Sequence, residues 1–244
     1  MNLSPSLLDL TLDSPAANLA CDEALFLEGE RARNNGVLRF WVPDSTFVVV
    51  GYTNAVEREV NVELCRSLRI PILRRCTGGG AVVQMPGCLN FTLVLPYRAG
   101  TEYATIASTN RTIMEKVRTS CAIFGDTEIV TVEGISDLAL NGMKFCGNAQ
   151  RRGESCLLFH GVILCNADLQ WISRLLPMPS RQPGYRHNRP HAGFVTNLNI
   201  AIDDLKPRLA YPWITSSIPL EAPHDMIRDL VSTKYTQDSW NFKR

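Results

Sequence analysis

The chain has 244 residues, 45% of them hydrophobic and 20% charged, and its 25 basic and 24 acidic side chains leave a formal charge of +1. That length and apolar content suffice for a buried core, and without a compositional break one domain over residues 1–244 is the expectation. A balance so close to neutral, with no run of five like charges, argues against a partner such as nucleic acid or an anionic membrane surface. Purely apolar stretches such as Phe47–Val50 and Leu93–Leu95 fall far short of the roughly 18 residues of a membrane span. The opening MNLSPSLLDL lacks a basic segment followed by an apolar core, so no secretory signal is expected and the cytoplasm is the expected location. Cysteines 21, 65, 76, 88, 121, 146, 156 and 165 are scattered singly with no C-x-x-C pair. They read as small buried hydrophobes, not as a zinc site or disulfide framework.

In chain order, Leu19, Ala20, Ala24, Leu25 and Leu27 fall at helical spacing within Ala16–Arg33, with Asp13 or Ser14 available as cap. After the Asn34-Asn35-Gly36 turn, two β-rich runs, Val37–Val42 and Thr46–Gly51, flank Pro43-Asp44-Ser45 and predict a hairpin. Val60–Leu68 predicts a short helix, and Ile70–Leu73 a strand that leads into Arg74-Arg75-Cys76-Thr77-Gly78-Gly79-Gly80. Strands Ala81–Val83 and Leu89–Leu95 follow. Tyr103–Phe124, ending near Gly125, carries Ile106, Ile113, Met114, Val117 and Cys121 on one face of a long amphipathic helix. Strands are predicted over Glu128–Val132, Leu138–Leu140, Lys144–Gln150 and Cys156–Leu164, then a helix over Asp168–Leu176. Pro177–His191 is rich in Pro, Arg, His and Gly and reads as a surface loop placed to close over a site. Pro223–Lys234 predicts the last helix. Strands and helices mixed in this order, without βαβ alternation, predict an α+β fold.

Three features carry chemistry. Gly78, Gly79 and Gly80 let backbone amides approach a ligand with no Cβ in the way, and two preceding arginines add charge and a fork of donors. The pattern fits a phosphate or carboxylate against amides, and equally a structural turn; it matches neither the P-loop nor G-x-G-x-x-G. Lys144 stands at a strand start after an Asn141-Gly142 turn, where a charge that blocks edge pairing is the ordinary reading and a functional cation the sharper one. His160, between Phe159 and Gly161, reads as a hydrogen-bonded, half-buried histidine before it reads as a base or a metal ligand. No G-x-S-x-G elbow occurs. His187 and His191 sit in the Pro/Arg loop, not on a helix with a glutamate between them, which excludes a zincin.

Taken together, Arg74–Val82, Gly87–Thr92, Ser136–Leu138, Asn141–Gln150 and His160–Leu164 resemble the catalytic domain of lipoate–protein ligases, in order and in spacing. Asn18–Glu23, Leu38–Trp41 and Val48–Gly51 resemble that family's opening, and Trp240-Asn241 its domain end. The resemblance implies a single α+β domain with a mixed β-sheet flanked by helices, of the biotin/lipoate ligase type that also includes octanoyltransferases, and no C-terminal accessory domain. It implies ATP-dependent activation of lipoate as lipoyl-AMP with Mg2+, then transfer of the lipoyl group to a lysine of a lipoyl-carrier domain. Lys144 matches the lysine that contacts nucleotide and acyl carboxylate, the candidate catalytic residue. Arg75 matches the arginine at the nucleotide. Gly80, Ala81, Val82 and Val83 match the backbone contacts, with Gly78 and Gly79 keeping the path open. Asn90, Asp137, Gly147, Ala149, His160 and Gly161 complete the expected ATP/lipoyl-AMP site, for which no metal ligands are assigned. Arg181, Arg186 and Arg189 are the expected contacts for an acidic carrier.

Gln84-Met85 stands where ligases commonly have His-Asp, and Tyr52-Thr53 where they have Arg-Gln. With no accessory domain expected, either the protein works alone or a second polypeptide completes it. One rival is an octanoyltransferase or lipoyl amidotransferase working through a cysteine thioester without ATP. The neighbourhoods where such nucleophiles stand read Leu176-Pro177-Met178-Pro179 and Val132-Glu133-Gly134-Ile135, without cysteine. Cys76, Cys88 and Cys146 are near the predicted pocket, and burial is their expected state. The other rival is a non-catalytic relative that binds lipoate or a carrier.

Overall fold

In the computed structural model, which describes residues 4–32, 36–97, 100–122, 129–213 and 220–243, helix α1 spans Pro15–Ala32. Pro15 opens it with a preset φ, and the Ser14 hydroxyl caps it by accepting from the Ala17 amide at 3.1 Å. The expected helix ends at Arg33 and at Phe124–Gly125, the turn residues Asn34-Asn35 and the strand start at Glu128 lie outside the described residues. The remaining helices are α2 (Val56–Glu59), α3 (Val62–Ser67), α4 (Ile106–Cys121), α5 (Gln170–Leu175), α6 (Ile202–Ala210), α7 (His224–Leu230) and α8 (Asp238–Asn241). Among the described residues none is long and apolar enough to cross a membrane.

Strands β1 (Ser6–Asp9), β2 (Val37–Trp41), β6 (Cys88–Pro96), β7 (Val130–Glu133), β8 (Asp137–Leu140), β9 (Met143–Arg152) and β10 (Cys156–Leu164) form one sheet in the order β1-β2-β6-β10-β9-β8-β7. Only β1 and β2 run parallel in it. A second sheet, β4-β3-β5, is built from β3 (Phe47–Val50), β4 (Ile72–Arg74) and β5 (Val82–Gln84). The architecture is α+β with mixed sheets flanked by helices. α1 and α7 lie over one face of the large sheet, α4 and α6 over the other, and α2, α3 and α5 pack near the small sheet.

The predicted hairpin between Val37–Val42 and Thr46–Gly51 does not form. Every residue of β2 and β3 is buried, so each strand needs a neighbour on both edges. β2 finds β1 and β6 in one sheet, and β3 finds β4 and β5 in the other. The helix expected over Val60–Leu68 begins instead as α2 and restarts at Asn61, whose side chain accepts from the Leu64 amide. The last helix keeps α geometry only to Leu230 and widens to a π turn over Val231–Tyr235. The elements not anticipated include β1, α6 and α8. β1 is four residues long, and α6 carries Pro207 in its interior, a helix-breaking signal that burial of Leu205 and Leu209 against α4 overrides. The Asn141-Gly142 turn is as read: both residues have positive φ, the conformation a two-residue turn between β8 and β9 demands.

α1 carries three buried polar side chains. Asn18 and Asp22 meet Arg39 of β2, which is fully buried; Asp22 Oδ1 lies 2.6 Å from its Nη1. Glu23 accepts from Lys234 at 2.7 Å, Tyr235 at 2.8 Å and Arg151 at 2.8 Å, and so docks the C-terminal turn against β9. Burial opposes ionisation of both carboxyls, and their cationic and hydrogen-bonding partners overcome it, holding each below its usual range. Removing one partner of such a buried pair strands the other. Asp22→Asn is expected to cost roughly 3–5 kcal/mol in denaturant unfolding. Because the native Asp22 value is depressed, its contribution is present above about pH 4 and is lost as pH falls through the native value. Midpoints measured from pH 7 downward should therefore fall less steeply on acidification in Asp22→Asn than in wild type.

Candidate active site

The register of the large sheet lays out the floor of the site beneath α1. Arg39 (β2), Thr92 (β6), His160 (β10) and Ala149 (β9) form one row across four strands, and Trp41, Asn90, Val162 and Gly147 form the next. Gly147 and Ala149 are small, so the floor opens over β9. Above these rows lies a narrow slot of about 130 Å3, roofed by Leu19 and Asp22 of α1 and by Val49, Arg75 and the Gly79–Val82 segment. It is mainly apolar, with a few placed polar groups, the usual character of a small-molecule site. A wider groove of about 700 Å3 adjoins it, between Gly78–Ala81, Asp137 and the segment from Leu176 to Phe194.

The glycine loop is held from beneath. Arg75, buried, donates from Nη2 to the carbonyls of Gly78 at 2.6 Å and Gly80 at 2.9 Å and from Nε to Thr77 Oγ1 at 3.0 Å. Burial lowers its pKa to about 10, which leaves it cationic at neutral pH. Thr77 Oγ1 lies 2.7 Å from His160 Nε2, and His160 Nδ1 lies 3.2 Å from Asp22 Oδ2. Thr77 Oγ1, which accepts from Arg75 Nε, and Asp22 Oδ2 engage the two ring nitrogens of His160. Arg39, Asp22, His160, Thr77 and Arg75 thus form one chain from the core to the loop. With its carbonyls drawn to Arg75, the loop leaves the amides of Gly78, Gly79 and Gly80 with no acceptor among the described residues. Gly79 needs its positive φ, and a Cβ on Gly51 would meet the Gly79 carbonyl at 2.0 Å.

Lys144 is placed by a bulge. Opposite β8 the register jumps from Leu138↔Cys146 to Ala139↔Lys144, which leaves Phe145 as an extra residue. Phe145 and Cys146 both enter the core under α4, and Lys144 is re-aimed toward the cavities. Its Nζ lies 2.8 Å from Asp137 Oδ1, and it lines both slot and groove. Far from an edge, Lys144 also bridges the returning chain: its amide donates to Phe194 O at 2.8 Å and its carbonyl accepts from Thr196 N at 2.9 Å. Tyr185 donates to Asp137 Oδ2 at 2.9 Å; burial and the adjacent carboxylate push its pKa up, so it stays a donor.

Of the residues named from sequence, Arg75, Gly79, Gly80, Ala81, Val82, Asn90, Lys144, Gly147, Ala149, His160 and Gly161 line the slot, and Gly78 and Asp137 line the groove. Val83 lies apart, beside a third cavity of about 110 Å3 with Phe145 and Leu164. A Cβ on Gly161 would meet Asn148 Oδ1 and the Phe91 ring, so that glycine serves packing. Asn90 is closed on Gln84 in a reciprocal amide pair at 2.7 and 2.9 Å. Arg186 and Arg189, expected to face a partner, turn inward. Arg186 is buried over Phe194, and Arg189 donates to the carbonyls of Gly142, Arg186 and Tyr185. Arg181 remains exposed. Sequence reasoning assigned no site role to Asp22, Trp41, Thr77, Thr92 or Tyr185. An acidic residue inside the apolar stretch of the first helix was the available signal for Asp22.

A mixed-sheet domain with a glycine loop over a narrow slot, and a sheet-borne lysine where slot meets groove, defines a class of acyl-group enzymes. The chain matches the family model of the lipoyl protein ligase A/B catalytic domain over residues 14–210. It therefore belongs to that family, within the biotin/lipoate ligase superfamily, whose enzymes are lipoate ligases and octanoyltransferases. It is 36% identical to a putative lipoate-protein ligase A of Aeropyrum pernix over 70% of this chain and 61% of that relative's length. It is 27% identical to lipoate-protein ligase A subunit 1 of Thermoplasma acidophilum, and 25% identical to octanoyltransferase LipM of Bacillus subtilis, each over 95% of both chains. Among solved structures it is similar to a lipoate-protein ligase A bound with ATP, with TM-score 0.81, 26% identity and 98% coverage of both chains. It is likewise similar to a bipartite lipoate protein ligase from T. acidophilum, solved in a study with its E2 lipoyl domain, with TM-score 0.82, 25% identity and coverage of 98% and 96%.

All eight cysteines are buried. Burial pushes the thiol of Cys76 up to about 11 and those of Cys88 and Cys146 up to about 12, so none of the three near the site carries thiolate at neutral pH. Iodoacetamide at pH 7.5 followed by intact mass should leave the native protein unmodified over a time in which the unfolded chain takes up eight adducts. Rapid, single alkylation of any of these three in the native state would contradict this assignment.

Proposed function

We propose that this chain activates lipoate with ATP and transfers the lipoyl group to a lysine of a lipoyl-carrier domain. The observation that carries the reading is the Lys144 ammonium at the junction of a narrow, largely apolar slot and a wide groove edged by unpaired glycine amides. In the first step a carboxylate oxygen of lipoate attacks the α-phosphorus of ATP and pyrophosphate leaves. In the second the neutral amine of the carrier lysine attacks the acyl carbon, the acyl C–O bond breaks, AMP leaves with that oxygen, and the proton lost from the nitrogen passes to solvent. Both steps gather negative charge where slot and groove meet. A fixed ammonium there, preset by Asp137, favours that charge without reorganising at the moment of reaction.

The slot suits the aliphatic chain, and the groove suits the nucleotide, with the amides of Gly78, Gly79 and Gly80 as phosphate donors. Arg75 acts by fixing those amides; its charge lies behind the loop. Mg2+, which takes one or two carboxylates and keeps water and phosphate as its other ligands, would enter with the nucleotide; Asp137 and Glu59 are the carboxylates that line the groove, the first engaged by Lys144 and Tyr185 and the second by Ser180. Bound there, Mg2+ neutralises phosphate charge. The likeness to an ATP-bound ligase and to the bipartite Thermoplasma system supports ATP as the activating substrate, a lipoyl domain as acceptor and a separate accessory subunit as partner. Thiol burial at Cys76, Cys88 and Cys146 weighs against the thioester route.

Incubating a lipoyl domain with this protein, lipoate and Mg-ATP should add one lipoyl mass to the intact acceptor, and omitting ATP should abolish the addition. A gain from an octanoyl-carrier thioester without ATP would instead identify an octanoyltransferase. Lys144→Ala should lower the ATP-dependent rate by about 10²–10³. Gly147→Ala is a milder probe, because its Cβ would meet Lys144 Cε at 2.9 Å and Nζ at 3.0 Å, the free end of a flexible side chain. It should displace the ammonium, lowering kcat/KM by about tenfold while Tm moves by no more than a few degrees.

A further inference from the structure

Buried polar atoms in proteins almost always find a partner. Trp41 Nε1 and Thr92 Oγ1 have none among the described residues, and both side chains, each 1% exposed, line the narrow slot. The strand register shows why neighbouring residues do not meet them. Thr92 lies between Arg39 and His160 in its row. The five N–H donors of Arg39 go to Leu10 O, Asn18 O, Asn18 Oδ1 and Asp22 Oδ1, and both ring nitrogens of His160 are taken by Asp22 and Thr77. Trp41 lies opposite Asn90, whose amide is closed on Gln84. An indole N–H only donates, and a hydroxyl can donate, so the complement of this pair is an acceptor atom.

The position of the pair along the slot is also defined. With a carboxylate at Lys144 on β9, the far carbons of an extended eight-carbon acid reach toward β6, two strand spacings away at about 10 Å, the strand that carries Thr92 and pairs with the Trp41 strand. An all-carbon chain there would remove both donors from water and return nothing. We propose that the slot, read as the acyl site as above, selects a chain carrying oxygen or sulfur in its distal half over an all-carbon chain of equal length, with Trp41 Nε1 and Thr92 Oγ1 as the recognising donors.

Isothermal titration of the full chain with octanoate and with a keto-octanoate bearing its oxygen on a distal carbon tests this directly, with lipoate as a third ligand. The keto acid is expected to bind about tenfold tighter than octanoate. Thr92→Val, which keeps shape and removes the hydroxyl, should weaken the keto acid, strengthen octanoate and bring their ratio toward one. Trp41→Phe should do the same and decides the matter if the first variant does not fold. Equal affinities in wild type, as a slot retaining a water on both groups would give, overturn the selection, as does a ratio unchanged in the folded variants. Equal affinities together with intact ATP-dependent lipoyl transfer overturn the selection and leave the ligase reading standing. If a chain shown to be folded by circular dichroism binds none of the acids, the acyl-site reading fails, and the selection with it.

Discussion

Arg39 is removed from water entirely, and the demand that its charge and five donors be met inside the protein organises much of what surrounds it. Two carbonyls and two side chains of the segment Leu10–Asp22 converge on it, which fixes α1 across the large sheet. Asp22 then has a second oxygen to place. His160 takes it, Thr77 takes the other ring nitrogen, and Arg75 completes the chain at the glycine loop. A buried cation in the large sheet thus sets the position of a surface loop that joins two strands of the small one. The loop glycines alone would be free to sample many conformations; the chain behind them selects one in which carbonyls face inward and amides are left open.

The site divides into parts of different rigidity. Its floor is made of central strands whose backbone bonds are met on both edges, so the slot has a fixed width and fixed polar points. Its lysine sits on the same strand system but is turned by a bulge, with a carboxylate and a tyrosine behind it. The wall formed by the chain from Pro177 to Phe194 is different. It is held by side chains more than by a ladder: Tyr185 on Asp137, Arg189 on Gly142, Arg186 over Phe194. Such contacts can be exchanged for others at modest cost, while the floor cannot shift without breaking strand pairing. A preorganised floor with an adjustable wall suits a reaction in which a small acid, a nucleotide and a protein side chain must meet in turn.

Features whose cause is local were legible in the residues themselves. Asn141-Gly142 specified a tight turn through its φ preferences, and Ser14 was one of the two residues offered as cap of the first helix. Cysteines without partners at metal or disulfide spacing read correctly as buried hydrophobes. Features that rest on competition between distant groups were not legible. β2 and β3 each looked like half of a hairpin because the turn residues between them are real, yet burial on both faces sent them to different sheets. Pro207 hid α6, and two buried leucines outweighed it. Arg186 and Arg189 were read as cations facing a partner because a sequence records charge but not the direction of a side chain, and both turn inward.

By itself the sequence determined the fold class, the family motifs and the residue types available to the site, since periodicity, turn chemistry and glycine spacing act over a few neighbouring positions. Only the tertiary structure decided which of these groups meet. It placed Lys144 through a single extra residue in β9, joined Asp22 to His160 across 138 positions of chain, and left Trp41 Nε1 and Thr92 Oγ1 in the slot without partners among the described residues. Those outcomes depend on strand register and on which hydrogen-bonding capacity is already taken, and both are properties of the assembled sheet, not of any segment within it.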